Sequence, residues 1–214
     1  MLKLLLLLGV LLLAAFLFFP EAAEDVVRDV QDTVESVTDG VTPSHVSLTP
    51  SDTTEIELAL LEAAKAGDDA RLTELLGGGA NVNGRGSDGA TPLMVAALGG
   101  HESTVRLLLT RGASVDARDS RGRTTLLLLA GKGRVAAAKA LLDAGADPNI
   151  ASKTGNFPLL EASRYGSDVL VRALLDAGSD VNQRAANGWT AHRAAEERGH
   201  SQIAKMLKEA GAVR

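Results

Sequence analysis

Two kinds of hydrophobic pattern divide this chain. From Leu4 to Phe19 no residue is charged, and the run LLLLLGVLLLAAFLFF is apolar on every side. From Glu55 onward, apolar residues recur every three or four positions and are punctuated by glycines. Between these stretches, Val27, Val30, Val34, Val37 and Val41 fall three and four apart, with charged and polar residues in the gaps. That spacing predicts a helix of about five turns with a narrow apolar stripe over residues 21–41. Its two heptads are too few to define a coiled coil. Gly40 and Pro43 close it, and TPSHVSLTPSDTT (Thr42 to Thr54) reads as a Ser/Thr/Pro linker.

The first run has the features of an address. Met1-Leu2-Lys3 is a short positive start, and Pro20 and acidic residues follow the apolar run. Residues 1–20 are therefore expected to be a signal peptide or an N-terminal membrane anchor. As a helix the run spans about 24 Å, short of a ~30 Å hydrocarbon core, which favours a cleaved signal. Phe16-Leu17-Phe18-Phe19-Pro20 contains no A-x-A site, and Ala22 and Ala23 are the nearby small candidates, which favours retention. In both cases Lys3 stays in the cytoplasm and residues 21–214 are exported to the periplasm or another extracytoplasmic space.

The second pattern has a period. Gly89, Gly122, Gly155 and Gly188 stand 33 residues apart. Leu93, Leu126 and Leu159 keep the same step, as do Gly100, Gly133, Gly166 and Gly199, and Gly112, Gly145, Gly178 and Gly211. Asn83, Asp116, Asn149 and Asn182 fill a further column. In one unit, Asp88-Gly89 makes a turn, Thr91 caps a helix, and Pro92 takes its first position. Leu93, Ala96 and Ala97 give that helix a small apolar face, and Gly99-Gly100 ends it. Glu102 to Thr110 forms a second helix with Val105, Leu108 and Leu109 inward, and Gly112 stops it. SVDARDS (Ser114 to Ser120) then runs as an extended arm to the next turn.

A 33-residue unit of turn, helix, helix and arm resembles the ankyrin repeat, and DGATPLMVAALGGH and LLDAGADPN lie near its consensus. The resemblance covers residues 55–214 and implies an all-α fold: an ankyrin-repeat solenoid of helix-turn-helix units with β-turn tips, here preceded by the N-terminal hydrophobic helix. Five units are expected, at 55–87, 88–120, 121–153, 154–186 and 187–214, after the acidic amphipathic helix and linker of residues 21–54. The first unit lacks the G-x-T-P-L opening and the last stops after its second helix; both suit capping units with wet outer faces. His192 replaces the leucine of its column, a change expected to weaken the C-terminal cap. Thr125 replaces the proline of its column, which makes the 121–153 unit the least rigid of the internal three.

Composition adds limits. The chain is 45% hydrophobic and only 3% aromatic, so its core must be built of Leu, Ala and Val, and it has no cysteine. That excludes disulfides, thiolate zinc sites and a cysteine nucleophile. The net charge of −5 is local: residues 20–54 carry eight acidic side chains against one arginine, while residues 55–214 are nearly neutral. Nothing in that balance calls for a nucleic-acid partner.

RTTLLLLAGKGR (Arg123 to Arg134) imitates a strand followed by a phosphate loop, but Gly131-Lys132-Gly133 lacks the glycine and Ser/Thr of a Walker A motif. In the repeat register, Leu126 to Leu129 are helical and the glycines are the helix–helix turn. His192, Glu196 and His200 stand four apart, but Gly199 ends the helix before His200 can share its face. His101 and His200 occupy one column, where the resemblance implies that they brace the loop by hydrogen bonding. Catalysis, metal and cofactors are therefore not expected.

The resemblance implies a protein–protein interaction module that binds through its turn tips and the groove side of its first helices. Carried onto this sequence, those columns hold Asp88, Arg121, Arg123, Lys132, Lys153, Asn156, Arg164, Tyr165, Trp189 and Arg198 as partner-binding residues. Trp and Arg are the types that anchor interfaces, and the positive excess points to an acidic partner surface. The acidic residues 21–39 are one such surface within the chain. A monomeric, exported binding protein is expected, with membrane contact through residues 4–19 if that run is retained. The alternative is a membrane-anchored scaffold or spacer in an envelope complex, self-associating through the valine stripe.

Overall fold

The computed structural model describes residues 50–213, so the readings that concern the apolar run, the valine stripe and the acidic stretch lie outside the described residues. Ten helices follow in five pairs: α1 (Pro50–Ala66) with α2 (Asp69–Gly77), α3 (Pro92–Gly99) with α4 (Glu102–Thr110), α5 (Thr125–Ala130) with α6 (Val135–Asp143), α7 (Pro158–Tyr165) with α8 (Asp168–Asp176), and α9 (Ala191–Glu197) with α10 (Ser201–Glu209). Among the described residues there is no strand, only an isolated bridge between Arg118 and Thr124. None of these helices is long and apolar enough to cross a membrane.

Local chemistry explains the boundaries. Thr91, Thr124 and Thr190 cap the first helices of three pairs, each hydroxyl accepting from the amide three residues on. Pro92 and Pro158 start two of the first helices, where no intrahelical donor is needed. Gly89 closes its turn at φ 76°, and a Cβ there would stand 2.8 Å from the Ser120 amide, so no other residue fits without displacing the neighbouring tip.

First helices stack on first helices through small and branched side chains. Leu93, Ala96, Ala97, Leu126, Leu129, Leu159, Ala162 and Ala194 are fully buried, and alternating Leu with Ala lets the axes approach closely. Polar bonds lace successive pairs. The side-chain oxygens of Asn83, Asn149 and Asn182 accept from the amides of Ser114, Asp180 and Val213 at 2.7–2.8 Å, and Asp116 takes the amide of Asp147 at 3.1 Å. The Nη1 of Arg85 donates to the Arg118 carbonyl one period later, at 2.6 Å. His101 and His200 donate from Nε2 to the carbonyls of Lys65 (2.9 Å) and Arg164 (3.3 Å), each joining the end of the preceding first helix.

Two expectations need adjusting, and the places of Leu109 and His192 are sharpened. The first helix begins at Pro50, so Pro50–Thr54 belong to α1 rather than to a linker; a proline suits the first helical position. Leu109 packs half-buried against the core, and Thr104 is buried as well, its hydroxyl reaching Asp69 Oδ1 at 2.6 Å. The arm Ser114–Ser120 is not extended throughout, since the Ala117 amide turns back to Ser114 at 3.2 Å. His192 keeps its leucine column buried, with Nδ1 3.6 Å from Glu196 Oε2.

Candidate functional site

Each tip is a four-residue turn closed by a glycine amide. Gly89, Gly122, Gly155 and Gly188 donate to the carbonyls of Gly86, Asp119, Ser152 and Ala185 at 2.8–2.9 Å. One residue past each glycine, the carbonyls of Ala90, Arg123, Asn156 and Trp189 are paired back across the turn. Arg123, Asn156 and Trp189 therefore occupy equivalent positions, one per unit, at the mouth of a first helix.

Their charges are committed differently. Asp119 is 8% exposed. Its Oδ1 accepts the amides of Arg121 and Arg123 (2.9 and 2.8 Å), and its Oδ2 lies 2.7 Å from both Nε and Nη2 of Arg123. Burial alone would raise the Asp119 pKa, but the Arg123 amide and guanidinium, with the Arg121 amide, outweigh it and hold the carboxyl below its usual range. The guanidinium of Arg123 is thus spent inside its own tip. Asp88 serves its tip too: Oδ1 accepts the Ala90 amide at 3.0 Å, while its carbonyl takes the Ser120 amide at 3.0 Å.

A second network joins α7 to α9. Asn156 donates to Glu161 Oε1 at 2.8 Å, and Arg164 Nη1 meets the same oxygen at 3.0 Å. Arg164 lies over the Trp189 ring, 5.8 Å from its centroid, and Arg193 lies 5.2 Å from it. The indole is half-buried against the core with both guanidinium groups in cation–π range, worth about 0.5–1 kcal/mol each at such an exposed site. Arg193 also faces Glu197 at 3.8 Å. Glu161 and Arg193 were not among the residues singled out from the columns. Their signal was local: Glu161 precedes Arg164 by three positions, a neighbour spacing on a helix, and Arg193 lies in the first turn of α9, just past Trp189.

Tyr165 is 57% exposed, and its ring lies against Gly133, where φ is 63° and a Cβ would run into the ring. Arg121, Lys132, Lys153 and Arg198 are exposed and make no ion pair among the described residues. The Lys153 amide donates to the Arg121 carbonyl at 3.0 Å, which sets these two cations on adjacent tips. The structure thus brings Asn156, Arg164 and Trp189 into one network and Arg121 beside Lys153. Arg123 works within a single tip, and Asp88 caps its own tip while its carbonyl joins the next one.

Among the described residues no three His, Asp or Glu side chains converge as metal ligands. His200 turns to the Arg164 carbonyl rather than toward His192. An open recess of about 430 Å³ is lined by Arg184, Gly188, Thr190, His192, Arg193, Glu196 and Glu197. It has no apolar side chain in its lining, unlike the sites that enclose small molecules. Leu126 to Leu129 lie within α5, and Gly131 to Gly133 form the helix–helix turn.

A family model described as ankyrin repeats (3 copies) matches residues 60–152 and again residues 144–213. No curated protein matches the chain.

Proposed function

The chain belongs to the ankyrin-repeat family, whose repeats generally serve as protein–protein interaction modules rather than enzymes, and from that premise we propose that it binds another protein through its tips and the groove side of its first helices. The observation that carries this reading is the division of charge on those columns. Arg123, Asn156 and Arg164 are held by internal partners, while Arg121, Lys132, Lys153 and Arg198 are exposed and make no ion pair among the described residues. Exposed cations without internal partners suit a partner with an acidic surface. The apolar run Leu4–Phe19 supports export, to the periplasm or another extracytoplasmic space, and tethering there if the run is retained. We take the binding form to be a monomer; sizing of the chain without residues 1–20 tests this, and a dimer would favour the scaffold alternative.

The test is differential capture from envelope extracts by the wild type and by Lys132→Glu/Arg198→Glu. Both charges are exposed, so the variant is expected to melt like the wild type and to lose the captured partner. Equal capture of the same proteins by both would refute the groove as the binding face.

A further inference from the structure

Two arginines, one period apart on the tip edge, are held in the same way. Nη1 of Arg85 donates to the Gly89 carbonyl of its own tip at 3.1 Å, and to the Arg118 carbonyl of the next at 2.6 Å. Nε of Arg118 donates to the Gly122 carbonyl at 3.1 Å, and its Nη2 donates to the Ala151 carbonyl. Each guanidinium is thereby pinned across two successive tips. Both residues are exposed, and neither makes an ion pair among the described residues. Ala151 holds the same column one unit later and does not continue the pair.

A carbonyl fixes a guanidinium but does not neutralise it. Of its five N–H donors, each arginine commits two to carbonyls and keeps three. A fork already held in place loses little freedom when a carboxylate meets it. The surrounding charge does not cancel the pair. Arg118 Nη2 and Lys153 Cγ each lie 3.1 Å from where a Cβ on Gly122 would stand, so two cations close over that glycine. Arg121 adjoins them, its carbonyl taking the Lys153 amide at 3.0 Å. Residues 84–90, 117–123 and 150–156 carry five cations against Asp88 and Asp119. Asp119 is buried on Arg123, which leaves Asp88 alone to offset Arg85, Arg118, Arg121 and Lys153.

The shape of an occupant follows from the spacing. Stacked helices stand about 8–10 Å apart. An extended chain rises about 3.3 Å per residue, so carboxylates three positions apart keep step with the two arginines. None of the large exposed apolar side chains lies on these tips, so a short helix would find no apolar footing there. We infer that Arg85 and Arg118 clamp an extended acidic segment of a partner protein, one carboxylate on each guanidinium, with Arg121 and Lys153 drawing the acidic residues that flank them. The inference rests on the interaction reading above and places the acidic contact on the edge formed by the first three tips.

Fluorescence polarisation of labelled peptides against the full chain, at low ionic strength, tests it. The peptide Glu-Ser-Ser-Glu-Ser-Ser-Glu is expected to bind at least tenfold more tightly than its glutamine version, and severalfold more tightly than a permutation with the three glutamates adjacent. Added salt should weaken it. Arg85→Gln/Arg118→Gln keeps an N–H for each neighbouring carbonyl but no charge, and should lose at least tenfold in affinity. Arg121→Gln/Lys153→Gln alters side chains that make no hydrogen bond among the described residues. It should melt like the wild type and bind severalfold more weakly, which separates charge from folding. Equal affinity for spaced and adjacent glutamates, or no binding of either, would overturn the clamp, while the capture experiment above judges the interaction reading independently. Affinity that survives both glutamine variants but falls on Lys132→Glu/Arg198→Glu would overturn the clamp and leave the groove reading standing. Tighter binding of a short oligothymidylate, lost on Arg85→Gln/Arg118→Gln, would overturn the acidic segment in favour of a phosphate backbone.

Discussion

Replacing Thr125 by proline should make the repeat array more stable. Thr125 opens α5, is fully buried, and its hydroxyl has no hydrogen-bond partner. A buried unsatisfied hydroxyl costs about 1–3 kcal/mol. At the first helical position the amide has no intrahelical acceptor, so proline removes nothing that is used. The residue before a proline must be extended, and Thr124 already is, at φ −85° and ψ 164°. Thr124 keeps its cap, because its hydroxyl accepts from the Leu127 amide and not from residue 125. Proline adds about 0.4–1 kcal/mol by restricting the unfolded chain. Allowing part of the gain to be lost in fitting the ring, the net is about 1–2 kcal/mol. For a chain of this size each kcal/mol moves Tm by about 2–4 °C. Thermal and urea unfolding followed by circular dichroism measure it. Thr125→Val separates the two contributions, because it removes only the hydroxyl. A proline variant that melts below the wild type would refute the argument, and a valine variant with no gain would show that the hydroxyl carries no cost.

Other outcomes follow from the lacing and the tips. Asp116→Asn should stabilise by about 1 kcal/mol at neutral pH: Asn149 and Asn182 also donate, to the Gly178 and Gly211 carbonyls at 3.2 Å, which an ionised Asp116 cannot imitate. Burial, with Asp147 nearby, raises the Asp116 pKa against the pull of the Asp147 amide, so the gain should shrink as pH falls through that raised value, which urea melts at pH 7 and pH 4 compare. Asp119→Ala should cost about 2 kcal/mol by orphaning Arg123 and two tip amides; because the folded pKa of Asp119 is lowered, its contribution is full above the usual carboxylate pKa and is lost as pH falls through the folded value. Gly131→Ala and Gly133→Ala should diverge although only two residues apart. The first gains about 0.5–1 kcal/mol, and the second loses about 1–2 kcal/mol to its left-handed backbone and the Tyr165 ring, measured by the same unfolding curves.

How much was legible differs from feature to feature. The α3 and α4 boundaries follow from Thr91, Pro92, Gly100 and the apolar spacing, all within a few residues of one another. The Asn83, Asp116, Asn149 and Asn182 column was visible as a period, but its purpose was not, since each bond ends 31 residues away. Arg123 and Lys132 looked alike as groove cations. The structure separates them, because the tip turn carries Arg123 back onto Asp119 and gives Lys132 no such acceptor among the described residues. Arg164 and Trp189 shared the groove columns, but their stacking depended on a neighbouring first helix.

What the sequence by itself determined is the repeat: its period, most of its helices and caps, and the columns that recur from unit to unit. Those depend on contacts within a turn of helix or a tight turn, where the chain's own spacing sets the geometry. Only the tertiary structure decided which charges are already satisfied, which glycine the fold can do without, and where polar bonds join one unit to the next. The reason is distance: periodicity places a side chain on a face to within several ångströms, whereas an ion pair or a hydrogen bond forms only when two units bring its partners to about 3 Å.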